Sequence, residues 1–360
     1  MKSIIDKSEF TNFLRAGAIL QTSADQFKLI WGPFSSASGA LKSISDEKTT
    51  IYAPEFWDFA ADKPGLCLKG SLEESVSRAE LLSLLRLIDL KSAVIVWDKV
   101  ATEFFEEQFE WSQKRFAAGD LVKTVPIIVQ RGLEKIDVSK LGQALLSVLE
   151  GQHFGYTYGL WSAGHGFLGH TPELIADWSA SDEQLHSVAL AGTTSLGVDI
   201  QADLKIQEEH HIVVNDLTEV IKSFLPEVFL APTTVLELKH LKHLMTKFSA
   251  RVSDKSLVIA IAEKIHPSAA LGIYPRKAEH YKIFSDFKLQ QRRKQFAAPF
   301  GFLSPDAVRI VAGIRSFQFS EGEVLLYSGC GVTKQSVLLE ELMELENKRN
   351  SVKKTMGFDL

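Results

Sequence analysis

Short runs of apolar and β-branched residues alternate along the chain with longer segments of helical periodicity. The short runs predict strands at residues 27–31, 93–97, 122–129, 154–160, 166–170, 173–178, 308–317 and 324–328. The periodic segments predict helices at 71–90, 133–149, 203–225, 256–265 and 335–356, with 235–247 partly helical. Several neighbouring strands are joined by short turns, such as residues 320–322, whereas the helices occur singly. This order favours an α+β fold with antiparallel sheets over a doubly wound parallel fold.

Composition narrows the function classes. The 360 residues are 45% hydrophobic and carry a formal net charge of -5, so no basic field points to nucleic acid or to an anionic membrane. No apolar run is long enough for a membrane span, and the first ten residues lack the apolar core of a secretory signal. Cys67 and Cys330 form neither a disulfide framework nor a zinc ribbon. We therefore expect a cytoplasmic protein, with a monomer as the default.

Glycine-rich phosphate loops are not found in the sequence. Residues 164–166 and 329–331 are short glycine pairs without the spacing of a P-loop or a dinucleotide-binding fingerprint. A nucleotide cofactor is therefore not indicated.

The segment IQEEHHIVVNDL (206–217) places two glutamates and two histidines at the head of an apolar run. On a helix, Glu209 lies about 40° from Val213 and about 20° from Val220, so it shares their face. Adjacent histidines diverge too far to share one metal ion easily. Of the four polar residues, Glu209 is thus the best candidate for a carboxylate that points toward the interior of the protein. The ordinary alternative is a half-solvated glutamate at the edge of the apolar face.

The closing helix, VLLEELMELENK (337–348), raises the same question. Glu341, Glu344 and Lys348 lie along the flank of its apolar stripe. Glu344 and Lys348 could be a surface pair worth roughly 0.3–0.5 kcal/mol. Alternatively, Glu344 converges with Glu209, and a cation between them offsets their repulsion. Mg²⁺ suits such a site, because it binds through one or two carboxylates and keeps several waters.

Nine motifs in sequence order resemble the chorismate-binding enzymes, a family that includes isochorismate, salicylate, anthranilate and aminodeoxychorismate synthases. They are LVKTVP (121–126), HTPEL (170–174), LAGT (190–193), KIQEEH (205–210), HPSAALGIYPR (266–276), RKQFAAPFG (293–301), GIRS (313–316), YSGCGV (327–332) and the pattern of residues 341, 344 and 348. Each is weak alone, but their order is specific. The resemblance covers about residues 120–360, and residues 1–115 match loosely. It implies one two-lobed domain over 1–360, with two central sheets and helices outside.

The resemblance also implies a Mg²⁺-dependent site for chorismate, with a role for each matching residue. Glu209 and Glu344 would be metal ligands, and Glu341 would act through water. Arg315 and Lys348 would bind the carboxylates of the substrate. Gly329 and Gly331 would let their backbone N–H groups approach it. The groups that line the pocket would be Gly192, Thr193, His266 and Tyr327.

The expected chemistry needs an acid and a base. Replacing the C4 hydroxyl of chorismate by water at C2 requires one group to activate water and another to protonate the departing hydroxyl. By resemblance, Lys123 is the base and Glu173 the acid. Glu173 would then need a raised pKa and Lys123 a depressed one. An alternative alignment on Arg131 would put Pro126 at the base position; we keep the first because it preserves residues 123–126 together.

Lys123 also separates members of the family. Water-using members have Lys at that position and ammonia-using anthranilate synthases have Gln, while aminodeoxychorismate synthases carry Lys where this chain has Ala191. The pattern therefore favours isochorismate synthase, in menaquinone or siderophore biosynthesis. Salicylate synthase, an aminating enzyme and a non-catalytic chorismate-binding protein remain alternatives.

Overall fold

The computed structural model describes residues 5–36, 48–57, 67–151, 154–195, 197, 199–237 and 241–358. Within these residues the helices are α1 (Lys7–Arg15), α2 (Arg78–Leu85), α3 (Glu103–Ala117), α4 (Val138–Glu150), α5 (Leu204–Lys222), α6 (Lys255–Ile265), α7 (Ala278–Ser285) and α8 (Leu338–Met356).

The strands within the same residues are β1 (Ala16–Ser23), β2 (Gln26–Trp31), β3 (Ser35–Ser36), β4 (Thr50–Tyr52), β5 (Cys67–Lys69), β6 (Leu72–Ser77), β7 (Val96–Trp97), β8 (Ile127–Leu133), β9 (Tyr156–Ser162), β10 (His165–Thr171), β11 (Leu174–Ser179), β12 (Gln184–Ser195), β13 (Phe229–Leu230), β14 (Thr234–Glu237), β15 (Leu241–Arg251), β16 (Pro299–Leu303), β17 (Ala307–Ala312), β18 (Ser316–Ser320) and β19 (Glu323–Gly329).

Two large antiparallel sheets form the centre of the described part of the chain. One has the strand order β6-β2-β1-β9-β10-β18-β19-β8-β7, and the other has the order β13-β15-β12-β11-β17-β16-β4-β5-β3, with β14 also pairing with β15. The strand pairs in both sheets are antiparallel, as in the hairpin of β18 and β19, where Phe317 pairs with Leu326. This confirms the α+β fold with antiparallel sheets that the strand pattern predicts.

Apolar side chains pack the sheets against each other and the helices against their outer faces. Leu20 and Phe167 from the first sheet pack with Phe300 and Val311 from the second in one buried cluster. A second cluster joins α5 and α6 to the second sheet, and a third joins α1, α2, α4 and the end of α8 to the first. The helices therefore lie outside a two-sheet core, as the resemblance implies.

Several predicted elements are found with shifted limits. The helix expected over 203–225 is α5, which begins after Asp203 because the Asp203 carboxylate accepts a hydrogen bond from the N–H of Ile206. The helix expected over 133–149 begins only at Val138, where Asp137 caps it. The strand expected over 122–129 is β8, which starts at Ile127.

Two predictions of helix are wrong in part or in whole. Residues 71–90 hold a strand, β6, before the helix α2, because Ser77 and Glu80 form a capping box that starts the helix at Arg78. Residues 235–247, expected to be partly helical, contribute to the strands β14 and β15, which pair with each other. Sheet pairing overrides the local helical propensity of the Leu- and Lys-rich segment. Residues 238–240 of that segment lie outside the described residues.

At two places the chain passes from one sheet to the other where the sequence predicts continuity. Residues 173–178 do not continue the hairpin of β9 and β10; β10 lies in the first sheet and β11 in the second, so the chain crosses over at Pro172 and Glu173. Likewise, residues 308–317 are two strands, β17 and β18, separated by a crossing at residues 313–315. Arg315 takes a left-handed backbone conformation there, with φ of 55°, which breaks the strand.

None of the helices in the described residues is long and apolar enough to span a membrane.

Candidate active site

A pocket lies where both sheets meet helices α5 and α8. Its lining comes from the two crossings between the sheets, from strands β12, β15 and β19, and from helices α5 and α8. The segment before β8, which holds Lys123, and the loops around residues 270–271 and 293–297 complete it. Nine of the residues expected from the sequence line it: Lys123, Glu173, Gly192, Glu209, Arg315, Tyr327, Gly329, Gly331 and Lys348. The structure thus gathers into one concave site residues that are spread over more than half of the sequence.

Lys123 is buried and paired with the candidate metal ligand Glu209. Its side chain is 1% exposed, and its Nζ lies 3.1 Å from Oε1 of Glu209. The backbone of Lys123 is held by Tyr274, whose C=O accepts a hydrogen bond from the Lys123 N–H and whose N–H donates one to the Lys123 C=O. A buried lysine needs such a carboxylate partner, because its desolvated charge would otherwise be costly. The placement of Lys123 in the pocket supports the alignment that preserves residues 123–126.

Gly331 lets the backbone approach this ion pair closely. A Cβ at that position would overlap Oε1 of Glu209 and would lie 2.6 Å from Cε of Lys123. The glycine is therefore required by the space that the Lys123–Glu209 pair occupies. Gly192, which also lines the pocket, has φ of 73°, a left-handed conformation that favours glycine.

The two candidate carboxylates of α8, Glu341 and Glu344, each have a lysine partner. Oε1 of Glu344 lies 2.6 Å from Nζ of Lys348 on the next turn, and this ammonium also donates a hydrogen bond to the C=O of Gly329 at 2.8 Å. Oε1 of Glu341 lies 3.2 Å from Nζ of Lys205, which is on α5. Burial raises the pKa of Glu341, as does the charge of Glu344, while Lys205 opposes the change.

Glu173 is buried at the crossing between the sheets. Burial raises its pKa to about 7, although the nearby charges of Lys123 and Lys348 act in the opposite direction. A carboxyl group with that pKa keeps its proton over part of the neutral range and can therefore donate it.

Two arginines add positive charge to the pocket. Burial lowers the pKa of Arg315 to about 10 and that of Arg293 to about 9. The Arg293 guanidinium donates hydrogen bonds to the side-chain oxygen of Gln290 at 2.6 Å and to the C=O of Leu271 at 3.1 Å. These cations, with Lys123 and Lys348, make the site suitable for an anionic ligand.

His243 lines the pocket although the sequence pattern did not single it out. It lies on β15, in the segment expected to be partly helical. The side to which its side chain points could therefore not be inferred from the sequence. Burial lowers its pKa far below the usual value, and the charges of Arg315 and Lys348 contribute. The imidazole is therefore neutral near pH 7 and can interact with a ligand without adding charge. A strand assignment for residues 241–251 would have been the signal that finds it.

Three residues expected to line the pocket, Tyr327, His266 and Thr193, differ in where the structure places them. Tyr327 lines the pocket, stacks on Phe296 with ring centroids 5.4 Å apart, and donates its hydroxyl proton to the C=O of Arg292 at 2.7 Å. His266 is not brought to the pocket lining; its ring is buried against Phe56 and Trp57 at centroid distances of 4.8 and 4.2 Å. Its packing against these aromatic rings accounts for its burial outside the pocket lining. The side chain of Thr193 lies outside the described residues.

A metal ion would have two carboxylates available from remote helices. Glu209 lines the pocket. Glu344 and Glu341 do not line it, but the Glu344 carboxylate pairs with Lys348, which does. Over the described residues, no group of three or more His, Cys, Asp or Glu side chains is arranged to hold a metal. The oxygen donors fit a hard dication such as Mg²⁺, which needs one or two protein carboxylates and takes its other ligands from water and substrate.

Comparison with known proteins identifies related sequences. The family described as chorismate binding enzyme matches residues 75–357. The salicylate biosynthesis isochorismate synthase of Pseudomonas aeruginosa is 28% identical over 204 residues, which are 53% of this chain and 42% of that protein. Isochorismate synthase MenF of Escherichia coli K12 is 27% identical over 255 residues, which are 66% of this chain and 57% of that protein. The chain thus spans about half the length of these relatives.

Solved structures show the same fold. The menaquinone-specific isochorismate synthase MenF from Escherichia coli superposes with a TM-score of 0.76 over 96% of this chain and 90% of that chain, at 18% identity. The protein DhbC from Bacillus anthracis, described as a putative 2,3-dihydroxybenzoate-specific isochorismate synthase, also gives a TM-score of 0.76, over 98% of this chain and 100% of that chain, at 19% identity. Because the family match extends over well more than half of the sequence, the chain belongs to the chorismate binding enzymes.

Proposed function

We propose that the protein is a Mg²⁺-dependent isochorismate synthase, which converts chorismate to isochorismate. The observation that carries the proposal is that Lys123 and Glu173, both buried, line the same pocket. An amine and a carboxyl group on one cavity can supply the two proton transfers that the reaction needs. Water adds at C2, the ring double bonds shift, and the C4 hydroxyl leaves as water.

The cations of the pocket would bind the substrate. Chorismate carries two carboxylates, and the guanidinium of Arg315 can hold one of them with two parallel hydrogen bonds. Lys348 supplies a second positive charge that its contact with the Gly329 C=O already positions. Because both groups are largely removed from water, their attraction for an anion is stronger than it would be at the surface.

Glu173 would act as the general acid. With a pKa of about 7 caused by burial, the carboxyl group is protonated in a substantial fraction of the enzyme near neutral pH, and it can pass this proton to the departing C4 oxygen. After turnover the carboxylate formed is stabilised by the charges of Lys123 and Lys348. The same environment therefore supports both protonation states of the cycle.

Lys123 would act as the general base that takes a proton from the attacking water. To do so, it must be neutral and must leave its ion pair with Glu209. Glu209 and Glu344 would hold the magnesium ion, with Glu341 acting through water. When bound, Mg²⁺ would supply positive charge for a substrate carboxylate and would compete with Lys123 for Glu209.

The test is a product analysis. Purified protein is incubated with chorismate, Mg²⁺ and ammonium, and the products are separated by chromatography. Isochorismate as the only product is expected. Salicylate would indicate that pyruvate is also eliminated, and anthranilate would indicate an aminating enzyme. Binding of chorismate without any turnover would identify a non-catalytic binding protein, and each of these three results would contradict the proposal.

A further inference from the structure

The two helices that carry the candidate metal ligands belong to different hydrophobic clusters. The inner face of α5, which includes Val213 and Leu217, packs in the cluster of the second sheet. The α8 side chains pack elsewhere, Val352 with the first sheet and Leu345 with α3 and α7. Among the described residues, no buried apolar cluster contains side chains of both α5 and α8, so apolar packing relates Glu209 to Glu344 only through the sheets.

Polar contacts join the two helices near their N-terminal ends. Nζ of Lys205 lies 3.2 Å from Oε1 of Glu341, and Nε2 of Gln335, just before α8, donates to Oε2 of Glu208 at 3.3 Å. The Gln335 contact is exposed, so it contributes little to position. The Lys205–Glu341 pair is different, because the Glu341 side chain is only 3% exposed.

Lys205 and Glu341 are placed one turn before the candidate ligands. Lys205 precedes Glu209 by four positions on α5, and Glu341 precedes Glu344 by three on α8, so each partner lies on the same side of its helix as a ligand. A contact between the first pair therefore constrains the distance between the second pair.

We propose that Lys205 is a positioning residue that ties α8 to α5 and so holds Glu209 and Glu344 at the separation that one shared divalent cation requires. The inference rests on the metal site of the proposed function. Without the ammonium, the buried Glu341 would keep its hydrogen bond with the Ser336 side chain but would lose its cationic partner, which is unfavourable for the ionised carboxylate. The start of α8 would then move to give Glu341 access to water, and Glu344 would move with it.

A simple electrostatic effect predicts the opposite result. An ammonium near a metal site repels a dication, so its removal alone would tighten metal binding. A positioning role predicts weaker binding after removal. The sign of the change in metal affinity therefore separates the two, independently of catalysis.

The experiment measures Mn²⁺ binding to the full chain in the absence of substrate, by the electron paramagnetic resonance signal of free Mn²⁺. Lys205→Met is expected to weaken binding about 10-fold or more, the range for residues that orient metal ligands. Lys205→Arg, which keeps the charge and the donor, should restore most of the affinity. Lys205→Gln is a second variant that keeps a donor, should Lys205→Met fail to fold, and it should also bind Mn²⁺ more weakly than the wild type.

Lys140→Met is the matched control. Nζ of Lys140, on α4, lies 2.8 Å from Oε1 of Glu134 in the segment before that helix, and the two side chains are 22% and 18% exposed. Neither residue lines the pocket. It should leave Mn²⁺ binding unchanged. Equal or tighter binding by a folded Lys205→Met or Lys205→Gln variant, while the wild type binds Mn²⁺, would overturn this inference alone. A wild type that binds no Mn²⁺ would overturn the metal site of the proposed function together with it.

Discussion

Glu173 and Arg315 lie on two adjacent crossings between the sheets, and hydrogen bonds join the crossings. The N–H of Ala312 donates to the C=O of Glu173 at 3.0 Å, and the N–H of His170 donates to the C=O of Arg315 at 3.1 Å. The candidate acid and the candidate anchor are thus held relative to each other by main-chain contacts. Such rigidity suits a site in which a proton donor must meet a leaving group at a fixed position.

Turnover should fall at high pH because Glu173 must be protonated to act. Its pKa is about 7, so kcat/KM is expected to decrease as pH rises through about 7. Glu173→Gln should reduce turnover by roughly 10²–10⁴-fold, the usual contribution of a general acid. Both are measured by initial rates of isochorismate formation. A kcat/KM that stays constant between pH 6 and 9, or a fully active Glu173→Gln variant, would remove Glu173 from this role.

Burial of Glu173 should also destabilise the folded protein at high pH. Its pKa is raised from 4.5 to about 7 in the folded protein, so the folded state keeps a proton that the unfolded state releases between these values. Stability is therefore lost as pH rises from about 4.5 to 7, by on the order of 3 kcal/mol. Relative to wild type, Glu173→Gln should gain stability at pH 8 but not at pH 4.5.

Denaturant unfolding at the two pH values measures this effect. Glu227→Gln, at an exposed position, is the control and should show no such pH-dependent difference. If Glu173→Gln and the control change stability equally at both pH values, Glu173 does not carry a raised pKa.

Lys123 should be essential to the chemical step. Replacing it by Ala removes the amine that takes the proton from water, and turnover should fall about 10²–10⁴-fold. Stopped-time product assays at saturating chorismate measure kcat directly. Unchanged rates would favour the alternative alignment on Arg131. In the structure Arg131 lies on β8, where its guanidinium forms an ion pair with Glu323.

Gly331 should not tolerate a side chain. In Gly331→Ala the added Cβ would overlap Oε1 of Glu209 and crowd Lys123, so the ion pair must shift; overpacking of this kind costs roughly 1–3 kcal/mol. We expect a lower melting temperature and a marked loss of kcat/KM. Gly197→Ala is the matched control, because a Cβ at Gly197 would meet no atom within 4 Å. Equal effects of the two substitutions would show that the space around Gly331 is not critical.

The sequence predicts the fold class and much of the site for identifiable reasons. Strand and helix periodicities indicate antiparallel α+β structure, and the long amphipathic helices α5 and α8 are found near their expected limits. Periodicity also placed Glu209 on the inward side of its helix, and it lines the pocket. The motifs then indicated that Lys123 and Glu173 belong to the same site.

Other features depend on contacts between remote segments and could not be predicted. A continuous apolar run does not show where the chain leaves one sheet for another, so residues 308–317 were expected to form one strand. Residues 173–178 were likewise expected to continue the paired strands before them rather than to enter the other sheet. His243 was missed because pairing of β15 with β12 and β14, rather than local propensity, makes its segment a strand. Similarly, the sequence around His266 does not show that its ring packs on Phe56 and Trp57, which are about 210 positions away, rather than lining the pocket.

The most direct test of the central claim is the rate of isochorismate formation as a function of Mg²⁺ concentration, for the wild type and for Glu344→Gln. We expect wild-type turnover to require Mg²⁺ and to stop when the ion is chelated, whereas Glu344→Gln should need far more Mg²⁺ and should be nearly inactive. Wild-type turnover in the presence of a chelator, or near-normal activity of Glu344→Gln at limiting Mg²⁺, would contradict the claim.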